Sequence, residues 1–424
     1  MKKQTVLLFL ILFFSLVVRF FNLATPQEYY FDEVYHAVTA KAYAVNNPAG
    51  YEWWHDAPEP GTAYEWLHPP IGKLFMAAGW LLFGQTPLSW RIPGILFGAA
   101  VIYLTCWLTK LLTNKEAPAL MAALLASLDG LLLSQSRIGM NDIYVTFFVL
   151  LTVGLYIIAR RSVHEWRWMI ATAVAAGLAM STKWSGVFTL GMIGTWELGL
   201  WLKTGRAWLR RLPRLLVIFG ILPICIYVLS YLQFWLQGHT IGQFYELHQQ
   251  IWWYQTHLEA THAYQSKAWE WPLSIRPVWY WVHYYDNGTI ANIYNLGNPV
   301  VFWLGLVTMV GLLGDVAIGW KKIKDQVFAI PMVVLIAYMW TWMPWLLSPR
   351  IMFSYHYTPA VPFLCIALGM QLTEWLQGPK VYKILGFSLL GLIGIAFIWL
   401  SPMWLGIPLP ESWWPYLFWL PTWK

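Results

Sequence analysis

Charge is what this sequence has least of. Asp, Glu, Lys and Arg make up 11% of its 424 residues, against roughly 25% in an ordinary soluble domain. With 58% of residues hydrophobic, so low a charge content excludes a water-soluble globule and leaves an integral, multi-pass membrane protein. Cysteine is equally scarce. Cys106, Cys225 and Cys365 each lie in an apolar stretch with no metal-type spacing, so they read as buried small hydrophobes, not as a disulfide framework or a metal site. No Gly-rich phosphate loop follows a strand pattern, so nothing points to a nucleotide. Internal repeats and low-complexity tracts are missing too. The net charge of +7 comes from short basic clusters between apolar spans, which act as topology signals and argue against a nucleic-acid partner.

Aromatic residues, by contrast, are abundant, with 31 Trp and 23 Tyr. Such rings concentrate at membrane-water interfaces and also make floors on which sugars stack. Eleven apolar segments have spanning length, at about 5–24, 92–112, 117–134, 142–159, 167–182, 185–202, 214–233, 299–319, 327–347, 352–376 and 384–402. The first lacks a small-residue cleavage site and runs into Thr25-Pro26, which reads as an uncleaved anchor. With the N-terminus cytoplasmic, 17 of the 27 Lys and Arg residues, from Lys2 and Lys3 through Lys324 to Lys383, fall in short cytoplasmic segments. The expectation is therefore an odd number of spans with the C-terminus extracytoplasmic. The chain reads as one membrane unit, 1–424: seven spans over 5–233 with a first outer loop at 25–91, a second outer loop at 234–298, and four spans over 299–402. Membrane lipids are its surroundings, and both outer loops are expected to carry interfacial helices.

Chemistry is expected on the outer face. Asp32 and Glu33 follow the first span, and two neighbouring carboxylates at the edge of the hydrocarbon suggest acid/base work, an ion pathway or a metal. The residues after them, Val34, Ala37, Val38, Ala40, Ala42 and Tyr43, suit a helix lying on the membrane surface. Later in the same loop, Pro69-Pro70 can start a helix, placing His68 and Lys73 where phosphate is naturally held. Their plainer reading is an interfacial anchor, with Lys73 snorkelling and His68 capping. A turn at Ser134–Asp142 offers Arg137 either as a planar fork for phosphate or as an ion-pair partner of Asp142. Asp129, inside an apolar run just before it, requires a partner. Two further turns bring Lys183 and then Arg350, Tyr355 and His356 to the same face. A divalent ion beside Asp32 is chemically reasonable, but no ligand spacing requires one. Asn287-Gly288-Thr289 fits an N-glycosylation acceptor.

Several of these elements carry a family resemblance. Phe31-Asp32-Glu33-Val34, Leu67-His68-Pro69-Pro70-Ile71-Gly72-Lys73, Ser136-Arg137 with Asp142, Lys183-Trp184-Ser185-Gly186, Trp271-Pro272-Leu273, Gly297-Asn298-Pro299 and Tyr355-His356-Tyr357 occur in order between about residues 19 and 370. Together they resemble the protein O-mannosyltransferases, glycosyltransferase family 39. These are polyprenyl-phosphate-sugar-dependent membrane enzymes of the GT-C fold. The chain leads from Phe234–Gly238 straight into Phe244–His248, which leaves no room for the β-trefoil module of the eukaryotic members. It is thus similar to the short prokaryotic forms, which implies a prokaryotic plasma membrane.

The resemblance implies an all-α GT-C bundle that transfers mannose from a polyprenyl phosphate to Ser or Thr hydroxyls of secreted or translocating proteins, with the export machinery as a possible partner. It makes Asp32 the catalytic base, with Glu33 supporting it. It places His68, Arg137, Asp142 and Lys183 on the donor side, with Tyr355 and His356 near the carrier. Lys73 and Arg350, read from the loops, complete the donor-phosphate set. The donor is a co-substrate, and no other cofactor is implied. Two competing functions are a GT-C transferase acting on a lipid or glycan acceptor and a transporter. Transport is disfavoured because the charges gather at the outer edge and not at the midplane of repeated halves.

Overall fold

The computed structural model describes residues 3–323 and 328–424; Lys2 and Lys324 of the basic clusters lie outside this range. Each of the eleven apolar segments is mainly helical where described. In chain order the helices are α1 (Lys3–Phe20), α2 (Glu33–Ala44), α3 (Ile71–Phe83), α4 (Pro87–Thr113), α5 (Glu116–Ser127), α6 (Gly130–Arg137), α7 (Asp142–Arg161), α8 (Glu165–Thr182) and α9 (Phe188–Thr204). They continue with α10 (Leu212–Ser230), π-helical at Leu216–Ile221, then α11 (Ile241–His257), α12 (Pro299–Ile323), α13 (Ile330–Trp342), α14 (Val361–Gln377) and α15 (Lys380–Leu405). Among the described residues, eight stretches are long and apolar enough to cross a membrane, and the bent pair α5 and α6 makes a ninth. The expected fifth and sixth spans, α8 and α9, are helices of 18 and 17 residues that are not among these.

Local sequence explains the boundaries. Thr86 and Ser89 form a capping box with Pro87 in the first turn of α4, and Asn114, in the left-handed region, ends the helix. Pro70 immediately precedes α3, as the double proline predicts. The 60° bend between α5 and α6 occurs at Asp129. One of its carboxylate oxygens accepts the Leu132 N–H at 2.8 Å and the other the Asn298 N–H at 3.0 Å. The carboxylate thus caps α6 and ties it to the start of α12, which supplies the partner that Asp129 requires. The bend carries the Ser136–Asp142 turn beneath the first outer loop.

In the first outer loop α2 is present as a helix, with Ala37, Val38, Ala40, Ala42 and Tyr43 buried and the helix packed on α3. Elsewhere the structure departs from the sequence expectations at two points. The second outer loop carries one long helix, α11, with Trp252 and Trp253 exposed. The rest of that loop includes an antiparallel hairpin, β1 (Val278–Tyr284) with β2 (Thr289–Asn295), joined by the short β3 (Leu409–Pro410) from the C-terminal tail. Asp286 and Asn287 form its turn, closed by the Gly288 N–H on the Tyr285 carbonyl at 3.1 Å, with Gly288 at φ +74°. The Asn287 side chain accepts from Thr289. Finally, Cys106 and Cys365 are buried as expected, but Cys225 is exposed on α10.

Candidate active site

A cleft open at its mouth lies between the first outer loop, the N-terminus of α7, the α8–α9 junction and the segment before α14; its lining includes Asp32, His36, His68, Asn141, Asp142, Lys183, Arg350, Tyr355 and His356. Seven of the ten residues singled out in the sequence therefore meet here, although they come from segments up to 324 positions apart.

Asp32 is the residue immediately before α2. The backbone presents it through Phe31, whose φ of +49° is left-handed, a conformation that costs an ordinary residue about 1–2 kcal/mol. The Phe31 ring is held against Tyr280 of β1, 4.3 Å between centroids, and near Tyr355, 6.1 Å away. The aromatic second loop thus stabilises the turn that aims Asp32. Burial pushes the Asp32 carboxyl up to about 7; Asp142 and Glu65 add to the rise, while Lys183 and Arg350 oppose it.

Lys183 lies in extended backbone between α8 and a following 3₁₀ turn, so the helix break is what frees its side chain. Gly186 permits the tight turn, because a Cβ there would come within 2.2 Å of the Ala179 main chain. Lys183 Nζ donates to Asp142 Oδ1 at 2.8 Å and lies 3.3 Å from His356 Nδ1. His356 stacks on Trp345, 4.3 Å between centroids, with Trp271 edge-on to it. Arg350 bonds Gln255 of α11 through one nitrogen and leaves its buried Nε without a partner.

His68 reaches the cleft wall with Nδ1 2.6 Å from Glu65 Oε1. Glu65, which the sequence reading passed over, is the hub of the first loop. Burial raises its carboxyl, but Lys73, His68 and His36 lower it further, so the net position is well below the usual carboxylate range. His36, also passed over, is pushed down to about 3, chiefly by burial.

Three expected site residues do not face the cleft. Lys73 is fully buried; it bonds Glu65 Oε2 at 2.6 Å, the Glu65 carbonyl, and the His68 carbonyl at 2.8 Å. It fixes the loop and neither snorkels nor offers itself to phosphate. Arg137 donates to the carbonyls of Arg19 at 2.6 Å and Phe21 at 2.7 Å, with longer contacts to Val18 and Asn22. The guanidinium therefore caps the C-terminal end of α1, and the Asp142 partner is Lys183. Glu33 is buried in an ion pair with Arg91, 2.7 and 2.9 Å, and accepts the Gly139 N–H at 3.0 Å. Its contacts hold the backbone on either side of Asp32 and the Gly139 turn. Among the described residues, no group of three or more His, Cys, Asp or Glu is placed to hold a metal ion.

The Arg137 assignment carries an expected result. Arg137→Met leaves the α1 carbonyls without their donor, at a cost of about 1–3 kcal/mol. Thermal unfolding in detergent is expected to shift down while KM for the donor stays within about twofold of wild type. A donor KM raised tenfold at unchanged stability would return Arg137 to the phosphate.

Known proteins similar to this chain bear on its family and fold. Residues 87–238 match the family described as dolichyl-phosphate-mannose-protein mannosyltransferase. Residues 240–423 match the C-terminal four TMM region of protein-O-mannosyltransferase. The chain is 26% identical to a polyprenol-phosphate-mannose–protein mannosyltransferase of Mycobacterium tuberculosis, over 98% of this chain and 91% of that one. Its fold is similar to the protein O-mannosyltransferase Pmt1-Pmt2 complex of Saccharomyces cerevisiae bound to the sugar donor, with TM-score 0.82 and 15% identity over 100% of this chain and 93% of that one. It is more distantly similar to ArnT of Cupriavidus metallidurans, with TM-score 0.58 and 15% identity over 92% and 63% of the two chains. The chain belongs to the protein O-mannosyltransferase family, with the GT-C membrane fold.

Proposed function

We propose that this protein transfers mannose from a polyprenyl phosphate carrier to Ser or Thr hydroxyls of proteins at its outer face. The observation that carries the reading is the joining, in one cleft, of a carboxylate with a raised pKa and two cationic side chains, Lys183 and Arg350. A carrier-linked sugar already has a good leaving group. What remains is a base for the acceptor hydroxyl, cations for the departing phosphate, and alignment of the two. Asp32 takes the hydroxyl proton as the acceptor oxygen attacks the anomeric carbon. The bond to the phosphate oxygen breaks on the opposite side, and the configuration inverts. Lys183 and Arg350 hold the released phosphate, Asp142 keeps Lys183 in place, and His68, oriented by Glu65, lies at the edge of the same charge. Tyr355 and His356 line the carrier side. Glu33, Arg91 and Lys73 fix the backbone around these groups.

The basic-residue bias supports a cytoplasmic N-terminus, an extracytoplasmic C-terminus and a cleft on the outer side of a prokaryotic plasma membrane, where unfolded chains leaving the export machinery would meet it. The 1–424 chain acts as one unit in this reading, with residues from both the 5–233 and 299–402 parts and the loops between them. The test is purified protein with polyprenyl-phosphate mannose and a Ser/Thr peptide. A single hexose added to a peptide hydroxyl is expected, and transfer only to lipid or glycan acceptors would overturn the protein-acceptor reading.

The same assay has a defined pH dependence. A protonated Asp32 cannot accept the hydroxyl proton, and its pKa lies at about 7. Lowering the pH through that value is therefore expected to reduce kcat/KM about tenfold per pH unit below it. A profile flat from pH 8 to pH 5.5 would exclude Asp32 as the titrating base.

A further inference from the structure

Asn141 occupies the position before α7 where an Asn ordinarily turns its side chain to accept an N–H of the first helical turn, yet it makes no capping bond. It is 1% exposed, lines the cleft, and neither its Oδ1 nor its Nδ2 has a partner. The packing around it is made to fit: a Cβ on Gly72 of α3 would come within 2.2 Å of Oδ1, so glycine is what leaves space for the amide. His36, on the first turn of α2, lines the same cleft with its buried Nδ1 also unpartnered; its nearest acidic oxygen, Glu65 Oε2, is 3.7 Å away, beyond hydrogen-bond reach. Buried polar atoms are nearly always satisfied. Two such side chains in one cleft therefore point to groups that a ligand brings.

Their chemistry selects the ligand. Anionic phosphate is drawn to the charged Lys183 and Arg350. A neutral amide and an imidazole instead offer paired donor and acceptor capacity, which matches a hydroxyl. We infer that Asn141 and His36 form a hydroxyl-binding subsite for the transferred hexose, with Asn141 the specificity-determining member. The inference rests on the transferase reading above. The buried amide has no protein partner, and the sugar's hydroxyls supply one only when the correct ring is bound. A site built this way rejects an analogue lacking the matching hydroxyl.

The experiment compares the wild type, Asn141→Leu and Asn141→Ala on polyprenyl-phosphate mannose and on its 2-, 3-, 4- and 6-deoxy forms. Asn141→Leu is expected to lower kcat/KM for the parent donor about 10- to 100-fold. On the one deoxy donor that lacks the contacted hydroxyl, the same substitution is expected to cost less than about threefold, because the partner is already gone. Asn141→Ala gives a second variant of different volume, so a folding defect in either one leaves the cycle measurable. An equal loss on every donor, or no loss on the parent, would overturn the subsite. If the wild type is inactive with every mannosyl donor but active with another polyprenyl-phosphate hexose, the mannose reading fails. The cycle on that hexose's deoxy forms then decides the subsite separately.

Discussion

Replacing Asp32 with Asn is expected to reduce kcat about a thousandfold, within the roughly 10²–10⁴ that a general base contributes, with little change in KM for the donor. The substitution keeps the shape of the side chain and hence the turn that Phe31, Tyr280 and Tyr355 hold. It removes the only property the proposal requires of this residue, an acceptor for the hydroxyl proton. The electrostatic consequence for the donor runs the other way. Asp32 is one of the two carboxylates facing Lys183 and Arg350 across the cleft, so neutralising it leaves more positive potential for the phosphate, and donor binding should hold or tighten. A fall in kcat with steady or lower donor KM therefore separates loss of the base from loss of the fold. Asp32→Glu should recover part of the rate, because the carboxylate is retained but displaced by one methylene. If Asp32→Asn turns over within tenfold of wild type, the base lies elsewhere, and Glu65 through His68 becomes the next group to test.

Much of this architecture is legible in the sequence, because hydrophobic length and turn chemistry are local signals. Each apolar segment is mainly helical, Pro69-Pro70 leads directly into α3, and the break at Thr182-Lys183-Trp184 exists to release Lys183. The convergence of Asp32, Asp142, Lys183, Arg350, Tyr355 and His356 also follows from placing their loops on one face. What stays hidden is pairing. A Lys or Arg near an outer turn signals a charge, not its partner. Arg137 meets carbonyls more than 110 positions earlier in the chain, and Lys73 finds Glu65 inside its own loop. Glu65, Arg91, His36 and Asn141 each look like ordinary loop residues until tertiary packing buries them. The hairpin is obscured for a different reason. Its first strand carries the consecutive Trp279-Tyr280-Trp281, and in so aromatic a chain such a run also suits an interface, while Asn287-Gly288-Thr289 fits a glycosylation acceptor as readily as the end of a turn.

Glu33→Gln is expected to produce the largest loss of stability, about 3–5 kcal/mol, because it leaves the buried Arg91 guanidinium without its counter-charge. The pair is sealed: Glu33 and Arg91 are both fully buried, and the two carboxylate oxygens face Nε and NH2 of Arg91 in a forked arrangement. Arg91 also donates to the carbonyls of Leu23, Pro26 and Glu28. One ion pair thus fastens the chain leaving α1, the Gly139 turn before α7, and the residue next to Asp32. Gln keeps one acceptor oxygen for these donors but turns its NH2 toward the others, the Arg91 N–H groups and the Gly139 and Tyr30 amides all being donors, and it cannot neutralise the guanidinium. The cost is therefore mainly electrostatic, and the double replacement Glu33→Gln with Arg91→Met should recover part of it. Activity should fall as well, since the segment carrying Asp32 loses its anchor. The two residues remain distinguishable, however. Asp32→Asn should unfold near the wild-type temperature and fail to turn over, whereas Glu33→Gln should unfold early and keep measurable turnover at low temperature, where its folded fraction survives. A Glu33→Gln protein that is as stable as wild type yet inactive would mean that Glu33 takes part in the chemistry directly, as a second carboxylate of the base, and not through the backbone it holds.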